Sequence, residues 1–349
     1  MRYFLSFLLS LACLLPVFAQ DPDSVYVGDP DAAYAQDPDA AYAQEPEAGF
    51  RQEADSVFAP SGTYLYAVKD TLELYLDVYE PAEGAETTFQ GREKPTILFA
   101  FGGGFITGHR DDAYLLPWFR LMIEDGYRVV AIDYRLGMKG YKVGKGLFGA
   151  AKASNQFYLS QQMGVEDVYS AVSFLAENRQ ELGVDMDNIV LAGNSAGAII
   201  ALAAEYDIVR GVARGLPTGF QFKGVMSFAG AIISVSGAPK YPAQPCATAF
   251  FHGTADGAVA YNHYGLLGRG IWGSDYIVRQ FARKHFDDYC IYRFPGRTHD
   301  VAAYMTVLWD IEKEFLEQNV MLGTRRVVDT LIDDPSLPTW NPITLKDIY

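Results

Sequence analysis

Alternation of apolar and polar residues sets in at Thr63 and divides the chain in two. Thr63-Tyr-Leu-Tyr-Ala-Val68 and Leu72-Glu-Leu-Tyr-Leu-Asp-Val-Tyr79 change sides residue by residue. That two-residue period belongs to half-buried strands and predicts an opening antiparallel pair. Beyond them come short, almost wholly apolar runs at Pro95–Phe101, Tyr127–Asp133, Ile189–Ala192, Phe222–Phe228, Thr248–His252 and Tyr289–Phe294. Helical composition separates them around Ala113–Glu124, Gly164–Leu182, the stretch after Ser195, Asp275–His285 and Ala302–Gln318. Apolar runs alternating with helices predict an α/β fold: a mostly parallel central sheet of about eight strands, with helices on both faces. In such a sheet reactive groups gather beyond the C-terminal strand ends. Leu136–Leu159, with five glycines and four lysines, breaks the alternation and reads as an irregular insertion, a lid or flap over the substrate side.

Before Thr63 the composition is different. Residues 1–19 carry Arg2, an apolar run and a small-residue end at Val17-Phe18-Ala19, the layout of a secretory signal peptide. The run is too short for a membrane span, so none is expected once the signal is removed. Cys13 makes only a poor lipoprotein site, and the address implied is extracellular, periplasmic or cell-envelope. Asp21–Gln52 repeats an octad, Asp-Pro-Asp-Ala-Ala-Tyr-Ala-Gln in its central units. A proline in every unit and repelling carboxylates predict an extended, disordered spacer over residues 20–60. A catalytic domain is then expected over 61–322, with a peripheral extension over 323–349. With 349 residues and 50% hydrophobic content the domain has ample core. The formal charge of −15 argues against nucleic acid as a partner. After signal removal Cys246 and Cys290 remain; a disulfide between them is permitted, and two buried thiols are the alternative.

Gly193-Asn194-Ser195-Ala196-Gly197 lies between an apolar strand and a helix, a context that lifts a serine hydroxyl clear of the sheet edge. A serine nucleophile needs a base, an acid to orient that base, and donors for the oxyanion. Asp256, in His252-Gly-Thr-Ala-Asp256, follows one predicted strand; His299, in Pro295-Gly-Arg-Thr-His299, follows the next. Singly, Asp256 reads as a loop-capping carboxylate and His299 as an exposed loop histidine. Together and in this order they read as acid and base for Ser195. His252 falls at a strand end, its ring shaping the Asp256 loop. Gly102-Gly103-Gly104, directly after a strand, frees backbone N–H groups to point into a cavity, so Gly103 and Gly104 with Ala196 are the oxyanion donors. A phosphate cradle is the rival reading of the glycines, but no lysine-serine/threonine pair follows.

With these residues in place the chain resembles the α/β-hydrolase carboxylesterases, in particular the hormone-sensitive-lipase-like and acetyl esterase group. The resemblance spans about Tyr64 to Gln318. It rests on Gly102–Phe105, Asp133-Tyr134-Arg135-Leu136, Gly193–Gly197, His252–Asp256 and His299. It implies an α/β-hydrolase fold, nucleophile Ser195, base His299, acid Asp256, oxyanion donors Gly103, Gly104 and Ala196, and no metal or other cofactor. It also implies that Asp133 and Arg135 brace the glycine loop. Two positions depart from the pattern: Phe101 stands where a loop-bracing histidine is usual, and Asn194 where an acidic residue is usual. The implied activity is hydrolysis of short-chain acyl esters by a secreted serine carboxylesterase. Acetyl or feruloyl groups on polysaccharides are among the substrates relatives take, and the partner is a small-molecule or carbohydrate ester. Phe105, Tyr134, Phe148, Phe157 and Tyr158 are read either as site lining or as core. A non-catalytic binding protein on the same scaffold, and a peptidase or lipase of the same fold, are the alternatives.

Overall fold

The computed structural model describes residues 58–339. The signal segment 1–19, nearly all of the expected spacer 20–60 and the last ten residues of the extension lie outside them. The strands run β1 (Gly62–Lys69), β2 (Leu72–Tyr79), a two-residue pair β3 (Thr88–Phe89) and β4 (Arg92–Glu93), β5 (Thr96–Ala100), β6 (Arg128–Ile132), β7 (Ile189–Asn194) and β8 (Gly224–Phe228). They continue with β9 (Ala231–Ser234), β10 (Ala247–Gly253), β11 (His263–Leu266), β12 (Arg269–Gly273), β13 (Tyr289–Phe294) and β14 (Val327–Leu331). The helices are α1 (Leu116–Glu124), α2 (Gly146–Glu177), α3 (Ala196–Val209), α4 (Ser274–Arg283) and α5 (Trp309–Phe315).

One sheet carries the architecture, in the order β1-β2-β6-β5-β7-β8-β10-β13-β14. The first two strands pair antiparallel, as the alternation predicts, and β2 pairs antiparallel with β6; every later pairing is parallel. It has nine strands where about eight were expected. The ninth is β14, which lies in the segment expected to be peripheral and completes the edge beside β13. Its residues are mostly exposed, so no apolar run marks it in the sequence. Continuous burial along β5, β7, β8 and β10 is the mark of a sheet covered on both faces.

Phe228, Phe251 and Tyr292 stand at facing positions of β8, β10 and β13 and stack in a row, their centroids 4.6 and 5.0 Å apart. Such ring pairs contribute about 0.5–1.5 kcal/mol each beyond their burial. They lock the register of two of the three strands that lead into the site. Helix α3 is apolar on all sides and buried along most of its length, as a helix pressed between sheet and helix must be.

The expected irregular insertion is only partly irregular. Helix α2 starts at Gly146, not near Gly164, so residues 146–159 are its first turns. Ala150, Ala151, Ala153 and Gln156 are good helix formers; the glycines around them blurred the period. Gly164 sits inside the helix because a side chain there would strike Ile200 of α3. The expected helix Ala302–Gln318 is also divided: a 3-10 turn over His299–Ala303, then α5, then a π turn over Leu316–Met321. A small antiparallel sheet, β11-β12-β9, has no counterpart among the sequence expectations. Its strands have four or five residues and hold Gly265, Gly270 and Gly273, too short and glycine-rich for a two-residue period to show.

Cys246 and Cys290 are free. The parallel register sets Ala249 opposite Cys290, three residues beyond Cys246. At about 3.3 Å per strand residue, that offset exceeds the Cα separation a disulfide spans. Among the described residues no helix is long and apolar enough to cross a membrane.

Candidate active site

Ser195 stands where β7 turns into α3, with φ 51° and ψ −116°, a left-handed backbone that side-chain-bearing residues rarely adopt. The turn is possible because its flanks lack side chains. A Cβ on Gly193 would run into Gly197, and one on Gly197 would run into the carbonyl of Ala100. The Ser195 N–H donates to the Phe228 carbonyl at 2.8 Å, which fastens the turn to β8.

The structure brings Asp256 and His299 to this serine. Asp256 follows β10, and its Oδ1 accepts from the N–H groups of Ala258 and Val259, both at 2.9 Å. Its Oδ2 lies 2.8 Å from His299 Nδ1, and His299 Nε2 lies 2.8 Å from Ser195 Oγ. All three side chains are buried. Burial pushes the Asp256 carboxyl up, but the His299 charge and the hydrogen bonds of His252 and His299 outweigh it and hold it well below the usual carboxylate range. For His299, burial acts downward; the facing Asp256 carboxylate, with Asp300 behind, overcomes it and raises the imidazole above its ordinary value. A histidine at the strand end also touches the acid, as expected: His252 Nε2 lies 3.3 Å from Asp256 Oδ2.

Gly103 and Gly104 have φ of 113° and 63° and form the turn after β5. The turn abuts Ser195, since a Cβ on Gly102 would come within 3.3 Å of its Cβ. Ala196 is the first residue of α3, where backbone N–H groups have no acceptor within the helix. Phe101 substitutes packing for the missing histidine: its ring stacks on Tyr134 with centroids 4.4 Å apart, and the Tyr134 hydroxyl donates to its carbonyl at 2.9 Å. Of the two braces the resemblance implied, Asp133 holds the glycine loop at Arg110, and Arg135 turns to α2. Asp133 accepts from Arg110, further down the loop, at 2.6 Å, and Arg135 is paired with Asp167 and Glu166 of α2. The intervening Tyr134 holds the start of the loop at Phe101. Phe105 and Tyr134 belong to the core, whereas Phe148 is 87% exposed and Phe157 and Tyr158 are half-buried on α2.

Three contacts escaped the sequence reading. Asn194 Nδ2 donates to the Ala302 carbonyl at 3.1 Å and reaches the Tyr114 hydroxyl at 3.4 Å, linking the nucleophile turn to the His299 turn. Arg297 donates to the carbonyls of Asp334, Leu337 and Pro338, so the chain after β14 straps the loop that presents His299. Neither Tyr114 nor Arg297 has any motif around it to signal this.

The order of strands, the serine turn and the two loops after β10 and β13 decide the architecture. The chain has the α/β-hydrolase fold. An esterase of the planctomycete Thermogutta terrifontis, solved with propionate, shares this α/β-hydrolase architecture at a TM-score of 0.53 and 22% identity, over 76% of this chain and 97% of that one. The sequence model of the Carboxylesterase family matches residues 46–215 of this chain. A chlorogenic acid esterase of Aspergillus niger is 31% identical over 134 residues, 38% of this chain and 24% of its own. The secreted lipase 5 of Gibberella zeae is 29% identical over 136 residues, 39% and 24% of the two chains. The chain thus spans about a quarter of the length of these curated relatives. The match follows the carboxylesterases broadly and does not single out the hormone-sensitive-lipase-like group.

Proposed function

We propose that the chain is a secreted serine carboxylesterase that hydrolyses short-chain acyl esters of small alcohols or carbohydrates. One observation carries the reading: Ser195 Oγ, both nitrogens of His299 and Asp256 Oδ2 form a continuous line with 2.8 Å at each contact. Along it, His299 takes the serine proton as Oγ attacks the ester carbonyl, and the anionic Asp256 stabilises the imidazolium. The N–H groups of Gly103, Gly104 and Ala196 receive the oxyanion. The imidazolium then protonates the leaving alcohol, and water, activated by the same histidine, releases the acid from the acyl-enzyme. No step calls for a cofactor. The match to the Carboxylesterase family supports the reaction class, and the name of the Aspergillus niger relative makes an aromatic acyl ester worth including in the trial. Secretion rests on residues 1–19 and on the description of the Gibberella zeae relative as secreted.

The test is hydrolysis of nitrophenyl esters of graded chain length, acetylated xylan and feruloylated sugars by wild type and Ser195→Ala. Wild type is expected to prefer the shortest nitrophenyl esters, and the variant to lose at least ~10³-fold in kcat. Equal background rates in both proteins would return the chain to the class of binding proteins on a hydrolase scaffold.

A further inference from the structure

Asp256 is flanked by two histidines. Its Oδ2 faces His299 Nδ1 at 2.8 Å and, from the strand that leads into its loop, His252 Nε2 at 3.3 Å. The second ring is completely buried. Its Nε2 also lies 3.2 Å from the Val259 carbonyl, so both groups facing this nitrogen are acceptors and the nitrogen must carry the proton. On the far side Nδ1 lies 2.8 Å from Ser274 Oγ, at the start of α4. The alternative acceptor for that hydroxyl, the Gly230 carbonyl, is 3.4 Å away. With the hydroxyl donating to Nδ1 across the shorter contact, the ring carries its proton on Nε2. A second serine–histidine pair thus stands behind the acid. Ser274 is completely buried, so this pair handles no substrate.

We propose that His252, held in one tautomer by Ser274, is a positioning residue that shares Asp256 Oδ2 with His299 and thereby sets both the aim and the basicity of the catalytic imidazole. The inference rests on the esterase reading above. A carboxylate oxygen that accepts from one N–H and faces a second at 3.3 Å is held in place and offers less of its charge to the first donor. His299 consequently keeps enough acidity as an imidazolium to protonate the leaving alcohol, and stays a free base to lower pH than a lone carboxylate partner would allow. The other charged or titratable groups on this line are Asp300 beside His299 and Tyr264, which senses the Asp256 charge. The edge of Tyr261 packs against His252, and its hydroxyl is bonded to Arg293, itself paired with Asp275.

The pH profile of kcat/KM on p-nitrophenyl acetate, measured for wild type, His252→Ala, His252→Gln and Ser274→Ala, tests this. His252→Ala is expected to fall by ~10²-fold at its plateau, the scale of a small misplacement of a catalytic group. Its acid limb should move to higher pH. His252→Gln, whose amide restores an N–H near the Nε2 position, should return the limb toward wild type and recover most of the rate. Ser274→Ala should shift the limb in the same direction by less. An alanine variant that folds, by circular dichroism, and keeps the wild-type limb overturns the proposal. Where that variant fails to fold, ¹⁵N spectra of histidine-labelled wild type decide. A protonated Nε2 and bare Nδ1 at His252 are expected, and the reverse tautomer overturns the proposal. The spectra also separate the two readings: if Ser195→Ala proves as active as wild type the esterase assignment falls, whereas the tautomer of His252 is read without turnover.

Discussion

The α-carbon of Gly253, at the end of β10, is packed against the backbone of Arg297 and Thr298 so closely that no methyl group fits between them. The contact holds the loop of Asp256 against the loop of His299. A Cβ at this position would strike two carbonyl oxygens, and backbone, unlike the tip of a side chain, cannot swing away. Gly253→Ala must therefore part the acid from the base. It is expected to cost about 3 kcal/mol of stability, the upper range for overpacking. Its kcat should fall by ~10²-fold or more, with KM for p-nitrophenyl acetate little changed. Wild-type kinetics in a folded variant would mean that the two loops are not held by this contact.

Asn194 ties the serine turn to the His299 turn, by donating to the Ala302 carbonyl. A carboxylate cannot donate, so Asn194→Asp would face one oxygen with another and place a negative charge beside the serine turn. Wild-type His299 is already raised above an ordinary histidine by Asp256, with Asp300 adding to it and burial opposing. A raised base is protonated sooner as pH falls, so activity should decline on acidification from a higher pH than a free imidazole would give. Asn194→Asp should displace that limb further upward and reduce the plateau rate about tenfold or more. A limb that moves downward would contradict this account.

Glu205, buried within α3, bears on stability rather than turnover. Its Oε1 accepts from the Cys246 N–H at 2.9 Å, and burial outweighs that bond, raising the carboxyl to about 7. The folded protein therefore retains a proton that the unfolded chain releases near 4.5. Between those values the native state binds more protons, so unfolding free energy falls as pH rises, by on the order of 3 kcal/mol in all. Glu205→Gln keeps an acceptor for Cys246 and removes the titration. Thermal melts from pH 4 to 8 should show a flatter dependence in the variant and a higher Tm at pH 8. Parallel curves for the two proteins would exclude Glu205 as the group responsible.

The site was legible in the sequence because each of its parts is a local event at a strand end. Gly193–Gly197, Asp256 and His299 each follow an apolar run, and parallel pairing then carries those ends to one rim. What stayed hidden depends on partners remote in sequence. Asn194 reaches Ala302, Tyr134 reaches Phe101, and Arg297 reaches the chain beyond β14; nothing in the local pattern around any of them marks the bond. The small sheet of β9, β11 and β12 was missed for a related reason. Its stability comes from cross-strand pairing and from Gln161 of α2, whose side chain bonds both the N–H and the carbonyl of Ile233, not from a periodic apolar face. The start of α2 was lost to its glycines: Gly149 lies against the backbone of Gly144 and Gly164 against Ile200, so neither marks a helix end.

The backbone at Ser195 has an evolutionary cost. An L-residue held at φ 51° and ψ −116° strains against its own Cβ, typically by about 1–3 kcal/mol. A glycine there would feel no such strain, and Ser195→Gly should melt at a higher temperature than wild type while losing all chemistry. Selection for a tougher molecule and selection for a working one therefore pull this single position in opposite directions. A serine at this position works against the interest of the scaffold.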